Sequence, residues 1–274
     1  MKTSLRYRES LKDARRVVVK LGSRVLVQKT GRPEMRRIRS LVREIASLQH
    51  RGYEVVIITS GAIGAGMEAL GMTSRPTKLP DLQMAAAVGQ ARLMARYDKL
   101  FSAQGCKVGQ ILLTHDDFHH AIRLANARRT MENLLRNGVI PIVNENDAVA
   151  AEEIKADIKK LGDNDLLASL VVNLIRADLL IILSTVDGLQ APGASGKRRR
   201  IPCLESIGPR TFRLVFGKGS DLSTGGMATK LKAARAVSRS GASAVIADGR
   251  RAGIIGRIMR GEDVGTIVPA DLPT

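Results

Sequence analysis

The sequence contains no tryptophan and only three tyrosines and four phenylalanines in 274 residues. Proteins that grip single-stranded nucleic acid stack bases on aromatic rings, so that mode of binding has little to work with here. Cysteine is scarcer still. Cys106 and Cys203 stand far apart, with no Cys-x-x-Cys spacing and no ligand-like neighbours. That excludes a disulfide framework and fits two reduced thiols in a cytoplasmic protein. No apolar run approaches the roughly 20 residues a membrane-spanning helix needs. The N-terminal stretch "MKTSLRYRESLKDARR" is basic but has no apolar core of a secretory signal, and Glu9 and Asp13 count against an organellar leader. It reads as a short surface extension. Neither G-x-G-x-x-G nor G-x-x-x-x-G-K-[ST] occurs, which removes the main support for a dinucleotide-binding dehydrogenase or a Walker-type NTPase.

Positive charge is what the sequence has in excess. Lys and Arg number 44 against 26 Asp and Glu, a formal net charge of +18. Such a balance suits nucleic acid, a membrane surface or small anionic substrates. The basic residues are spread along the whole chain, and the densest run, "GKRRR" at 196–200, reads as the solvated face of a Pro/Gly/Ser-rich loop. With 44% hydrophobic residues the chain can bury a sizeable core, as one large α/β domain or two small ones.

Short apolar runs alternate with longer amphipathic segments. Strands are predicted at 17–21, 54–59, 107–113, 139–143, 178–184, 243–247 and 265–268, and helices at about 34–50, 79–103, 125–137, 163–176 and 226–240. Apolar strands without strict alternation, separated by helices, predict a mainly parallel sheet covered on both faces. Pro141 inside one run predicts an edge strand or a bulge. Ligands of such sheets collect at the carboxyl ends of the strands.

Four stretches place chemistry at those ends. In "VVVKLGSRVL" (17–26) a core strand ends on Lys20, a cation costly to bury unpaired. It either snorkels to solvent or is delivered to something negative. Gly22 and Ser23 beside it let backbone approach a ligand and leave N–H groups free for phosphate. "TSGAIGAG" (59–66) turns from strand to helix through Ser60, Gly61 and Ala62, an anion site at a helix start or simply a tight turn. "NENDAV" (144–149) and "LGDNDLLASLV" (161–171) cluster Asn144, Asn146 and Asp147 with Asp163, Asn164 and Asp165. Capping by Asp163 or Asn164 explains one of these, whereas two polar clusters suit a ligand bearing an amine or a network around lysines. "STGGMATKLKAA" (223–234) runs from Thr224, Gly225 and Gly226 into a helix carrying Lys230, an anion-binding pattern outside the Walker type. The His- and Asp-rich "THDDFHH" (114–120) reads instead as a capping pattern of Thr114 with Asp117.

On the residues alone, several readings stand. One is a protein acting on a small anionic substrate; the others are a basic nucleic-acid binder and a silent amino-acid sensor. Keeping both Lys20 and Lys230 speaks against the sensor, and the shortage of aromatics against the binder.

Taken together, "VVKLGS", "TSGAIGAG", "AAVGQARLM", "VGQILLT", "NARRTMENLL", "PIVNENDAVA", "GDNDLLASLV" and "TGGMATKLKAA" resemble, in order, the amino acid kinase family, and most specifically its branch acting on L-glutamate. The match runs from about 15 to 270. The resemblance implies an α/β fold, a three-layer αβα sandwich around a mainly parallel open sheet. It implies residues 1–14 as an N-terminal extension and 15–270 as the kinase domain, with a substrate lobe to about 170 and a nucleotide lobe after it. The implied reaction moves the γ-phosphoryl of ATP, carried with Mg2+, to the side-chain carboxylate of L-glutamate. Lys20 and Lys230 would stabilise the transferring group, with Asp165 orienting them. Ser60, Gly61, Ala62, Asn144, Asp147 and Asn164 would hold glutamate. ATP would lie along Lys20, Ser184, Thr185, Thr224, Gly225, Gly226, Met227, Ala228, Thr229 and Lys230, and no protein-held metal is implied. The resemblance also implies a cytoplasmic homo-oligomer that passes its product to a glutamyl phosphate reductase, with no membrane or nucleic-acid partner. Relatives in this branch often append a small RNA-binding-type PUA domain, and the chain reads as the form without it. It departs from the family pattern at Thr185, Gln190 and Ser223, and in the spacing around Lys155.

Overall fold

The computed structural model describes residues 2–28, 33–149, 164–192, 197–215 and 224–271, with Lys2, Thr3, Thr224 and Gly225 described in their backbone only. Lys155, Gly162, Asp163 and Ser223 lie outside the described residues. The chain opens with helix α1 (Lys2–Glu9) and a 3-10 turn, then strand β1 (Arg16–Leu21). The short α2 (Ser23–Leu26) and the amphipathic α3 (Met35–His50) lead to β2 (Glu54–Ile58), α4 (Ala62–Ala69) and the long α5 (Leu79–Ser102). β3 (Lys107–Leu113), α6 (Ala121–Arg136) and β4 (Val139–Glu145) follow, and then α7 (Asn164–Ile175) and β5 (Leu179–Ser184). The remainder comprises the hairpin strands β6 (Gln190–Pro192) and β7 (Arg198–Arg200), α8 (Pro209–Arg213), α9 (Thr224–Arg239), β8 (Ser243–Asp248), α10 (Ile254–Met259) and β9 (Thr266–Val268).

Seven strands form one sheet in the order β3-β4-β2-β1-β5-β8-β9. All neighbours are parallel except β8 and β9. Central strands are buried on both faces, which is why they read as unbroken apolar runs. Successive side chains of β1 alternate between two cores. Val17, Val19 and Leu21 join Ile45, Tyr97 and Ile255, from α3, α5 and α10, on one face. Val18 joins Met131, Leu167 and Leu231, from α6, α7 and α9, on the other. Each such fully buried aliphatic side chain contributes roughly 1.5–3 kcal/mol relative to exposure. The same alternation turns Lys20 toward the face that α7 covers.

Three sequence expectations are corrected. The N-terminal segment is more than a surface extension: most of its side chains are at the surface, but Arg8 is 0% and Leu11 1% exposed, anchoring it to the domain. β4 is an interior strand in unbroken register with β3 from Lys107↔Val139 to Leu113↔Glu145, so Pro141 marks neither edge nor bulge. Pairing of β4 with β2 begins at Ile57↔Ile142, just past the proline, so its missing N–H falls where the ladder has not yet started. The basic run is strand rather than loop over Arg198–Arg200, which form β7; Arg198 and Arg199 are exposed, the solvated face expected, and Arg200 pairs with Asp263 at 2.9 Å.

Candidate active site

The carboxyl ends of β1, β2, β4 and β5 lie along one margin of the sheet, and the polar stretches sit there. Lys20 Nζ is 2.6 Å from Asp165 Oδ1, in the first turn of α7. Asp165 Oδ2 takes Lys230 Nζ at 2.9 Å and the Thr229 hydroxyl at 2.8 Å, both from α9. Lys230 Nζ also donates to Gly226 O at 2.8 Å, tying the ammonium to the glycine-rich start of its own helix. One carboxylate therefore holds two cations. Burial works against its ionisation and is the largest single influence. The two ammonium groups together outweigh it and hold Asp165 below the usual carboxylate range. Among the described residues named here, two ammonium groups share one carboxylate.

Beside it runs a row of side-chain amides. Asn164 Nδ2 donates to Ser60 Oγ at 2.9 Å and to Asn144 Oδ1 at 3.3 Å, and Asn144 Nδ2 donates to Gln90 Oε1 at 2.9 Å. Gln90 in α5 carried no signal of its own in the sequence: a lone polar residue in an amphipathic helix looks like any exposed position. Here it is 9% exposed, and its amide nitrogen has no partner among the described residues. Asn164 Oδ1 and Asp147 Oδ1 are likewise buried without a partner. Buried polar atoms are nearly always satisfied, so these three atoms are candidate contacts for a polar ligand. Asp147 stands on the turn after β4. Burial, reinforced by the charge of Glu145 and opposed by Arg75, pushes its carboxyl up to about 7.

Local packing fixes the Ser60 turn. Gly61 has φ +102°, left-handed backbone that glycine adopts without strain, and caps α4. A Cβ on Gly66 would lie 1.8 Å from Ala85 O, and one on Gly89 would lie 1.8 Å from Ala62 O. These glycines of "TSGAIGAG" and "AAVGQARLM" let α4 and α5 touch, so their role is packing. Tyr97, whose phenol burial pushes up to about 12, shares a 2.8 Å hydrogen bond with Thr59 Oγ1. Gly22 also serves packing. Its N–H is already bonded to Leu183 O at 3.1 Å, and a Cβ would stand 2.8 Å from that oxygen. The expectation of a free N–H there for phosphate is thus corrected. A small apolar cleft opens on the Ser60 and Gly61 side, between Leu26, Leu93 and Tyr97. Its basic member, Arg96, is already paired with Glu68 at 2.5 Å.

Ser184 and Thr185 follow β5. Ser184 O accepts from Gly249 N at 2.9 Å, and Thr185 O from Arg250 Nη2 at 2.7 Å. Arg250 is itself held by both oxygens of Asp248. Within the start of α9, Met227 is half-buried and Ala228 buried. Thr114 donates to Asp117 through both its N–H and its hydroxyl, the capping arrangement read from the sequence.

The amino acid kinase family model matches residues 15–248. The chain belongs to the amino acid kinase family. It is 46% identical over 267 residues to the glutamate 5-kinase of Moorella thermoacetica, covering 97% of this chain and 69% of that protein. It is 42% identical to the glutamate 5-kinase of Listeria monocytogenes serotype 4b over 95% of both chains. Among solved structures, the carbamate kinase from Giardia lamblia bound to AMP-PNP shares the fold, with TM-score 0.64 and 17% identity over 95% of this chain and 100% of that one. The UMP kinase from Bacillus anthracis does so at TM-score 0.61, with 17% identity over 94% and 97%. The three-layer sandwich around a mainly parallel sheet is the fold of this family.

Proposed function

We propose that this chain transfers the γ-phosphoryl group of ATP to the side-chain carboxylate of L-glutamate, giving L-glutamyl 5-phosphate, the first step of proline synthesis. The observation that carries this reading is the Lys20–Asp165–Lys230 bridge set against a row of amides with unpartnered polar atoms. A centre where two ammonium groups share one carboxylate suits a transferring phosphoryl group. Unfilled donors and acceptors suit an amino acid. The names of the relatives at 42–46% identity support the same substrate.

Phosphoryl transfer depends on positioning and charge stabilisation rather than on protein nucleophiles. The glutamate carboxylate is ionised at neutral pH and needs no general base. One of its oxygens forms a bond to the γ-phosphorus, the bond to the β–γ bridging oxygen breaks, and ADP leaves with that electron pair. Lys20 and Lys230 approach the charge from the β1 and α9 sides, while Asp165 holds both ammonium groups in place beforehand, so little reorganisation is needed. Ser60, Asn144 and Asn164 line the glutamate side, with Gln90 as an added member. Asp147 receives the substrate ammonium. ATP lies along Ser184, Thr185 and the first turn of α9 from Thr224 to Lys230, with the Gly225–Gly226 backbone close to the phosphates. Mg2+ would come bound to the ATP phosphates. The acyl phosphate hydrolyses readily, so prompt delivery to a glutamyl phosphate reductase and assembly into a homo-oligomer belong to this reading.

An ATP-dependent assay with hydroxylamine trapping of the acyl phosphate tests it. Glutamate should give hydroxamate, and aspartate and acetylglutamate should give little. Equal turnover of all three, or none with glutamate, would overturn the substrate assignment.

A further inference from the structure

Arg8 is fully buried although it lies in a polar N-terminal helix. All five of its N–H donors are used. Nη1 donates to Glu262 O at 3.0 Å and Val264 O at 2.7 Å; Nη2 donates to Pro202 O at 2.9 Å and Gly265 O at 3.0 Å; Nε reaches Ser4 Oγ at 3.3 Å. Asp263 adds an ion pair at 3.2 Å. Four carbonyls from two distant segments thus converge on one guanidinium, whose planar fork alone among side chains can serve them together. The turn is built for this approach. Gly261 has φ +74° and a Cβ there would stand 2.7 Å from Arg8 O, while Gly265 has φ +64°.

The clasped segment leads to the nucleotide side of the site. Thr266, next to Gly265 and 0% exposed, accepts from Leu189 N at 2.8 Å and donates to Ile201 O at 2.6 Å. Gly188, at φ +124°, is pressed so closely on it that a Cβ would lie 2.3 Å from Thr266 Oγ1. Pro202 O also takes Ile267 N at 3.0 Å. The segment Ser184–Leu189 is therefore held at one end by the end of β5 and at the other by Thr266, whose own position Arg8 sets.

We propose that Arg8 is a positioning residue for ATP, acting through Gly265 and Thr266 on the Ser184–Leu189 loop. This rests on the placement of ATP along Ser184 and Thr185 given above. A purely structural arginine would change stability alone, whereas a positioning one changes ATP use selectively.

The test measures both KM values and kcat in the full chain for Arg8→Met, Arg8→Lys and Thr266→Val, with Gly188→Ala as a direct probe of the loop. Arg8→Met should raise KM for ATP about tenfold, the effect of one lost contact, with KM for glutamate within about twofold. Arg8→Lys, which keeps the charge but not the fork, should fall between wild type and Arg8→Met. Thr266→Val should reproduce the ATP effect with Arg8 intact. If Arg8→Met does not fold, Arg8→Lys and Thr266→Val carry the same comparison. ATP parameters unchanged in these variants while Gly188→Ala raises KM for ATP would overturn the role of Arg8 and leave the nucleotide placement standing. ATP parameters unchanged in all four, Gly188→Ala included, would instead refute the nucleotide placement and the proposal with it.

Discussion

Lys20 Nζ lies 2.6 Å from Asp165 Oδ1, with the lysine side chain 8% and the aspartate 4% exposed. A cation at the end of a core strand is thus neither stranded nor snorkelling. It is balanced by one carboxylate that also serves Lys230, and the pairing differs for each partner removed.

Lys20→Met keeps the apolar stem and leaves Asp165 paired with Lys230, so the fold should survive. Loss of one preorganised charge should lower kcat by a factor of about 10²–10³ with little change in KM for glutamate. Lys230→Met should show the same kcat loss and a larger ATP penalty, because its ammonium is bonded to Gly226 at the start of α9. A folded Lys20→Met enzyme with near-normal kcat would refute the assignment, as steady-state kinetics would show.

Asp165→Asn removes the shared counter-charge and leaves two cations facing each other. Breaking a buried pair in this way typically costs about 3–5 kcal/mol, read as a fall in the urea midpoint. The depressed Asp165 value gives stability that is present above its ordinary 3.8 and lost as pH falls through the lower folded value. Acid unfolding curves of wild type should carry that step, and those of Asp165→Asn should lack it.

Asp147 behaves oppositely. Its folded value of about 7 exceeds the ordinary 3.8, so the folded protein keeps a proton that the unfolded chain has released. The contribution of Asp147 to stability without ligand should therefore be greatest below about pH 4 and decline as pH rises to about 7. An ammonium ligand favours the ionised form, so KM for glutamate should fall as pH rises through this range. Asp147→Asn should raise KM for glutamate about tenfold to a hundredfold, leave KM for ATP nearly unchanged and flatten the pH profile. Parallel changes in both KM values would place Asp147 outside the glutamate site.

Gly89→Ala would put a Cβ 1.8 Å from Ala62 O and drive α5 away from α4. Overpacking of this kind costs about 1–3 kcal/mol or more. Because Ala62 directly follows the Ser60–Gly61 turn, the thermal midpoint should fall and KM for glutamate should rise together. A drop in thermal midpoint with unchanged KM would separate that turn from the helix contact.

The strands were legible because a strand buried on both faces is apolar throughout, as Val17–Val19 and Leu179–Leu183 show. The lysines and Asp165 were legible from glycine-rich and acidic stretches at strand ends. Arg8 was not, because its burial depends on carbonyls 194 to 257 residues away, and nothing in "KTSLRYRE" announces them. Gln90 escaped notice for the same reason: its partner Asn144 is 54 residues off. Gly22 reads in the sequence as a ligand-facing glycine, whereas close backbone packing is what demands it.

Strand β1 is the seam of the sheet, with β2 on one side and β5 on the other. Its first neighbour follows after two helices, but the second is made only once more than half of the chain has been synthesised, and α9 comes later still. Pairings so distant in sequence form slowly. On a growing chain, Lys20 and Asp165 can meet before Lys230 has been made. A chain stalled before α9 would hold Lys20 and Asp165 without Lys230, the second cation that the proposed transfer calls on.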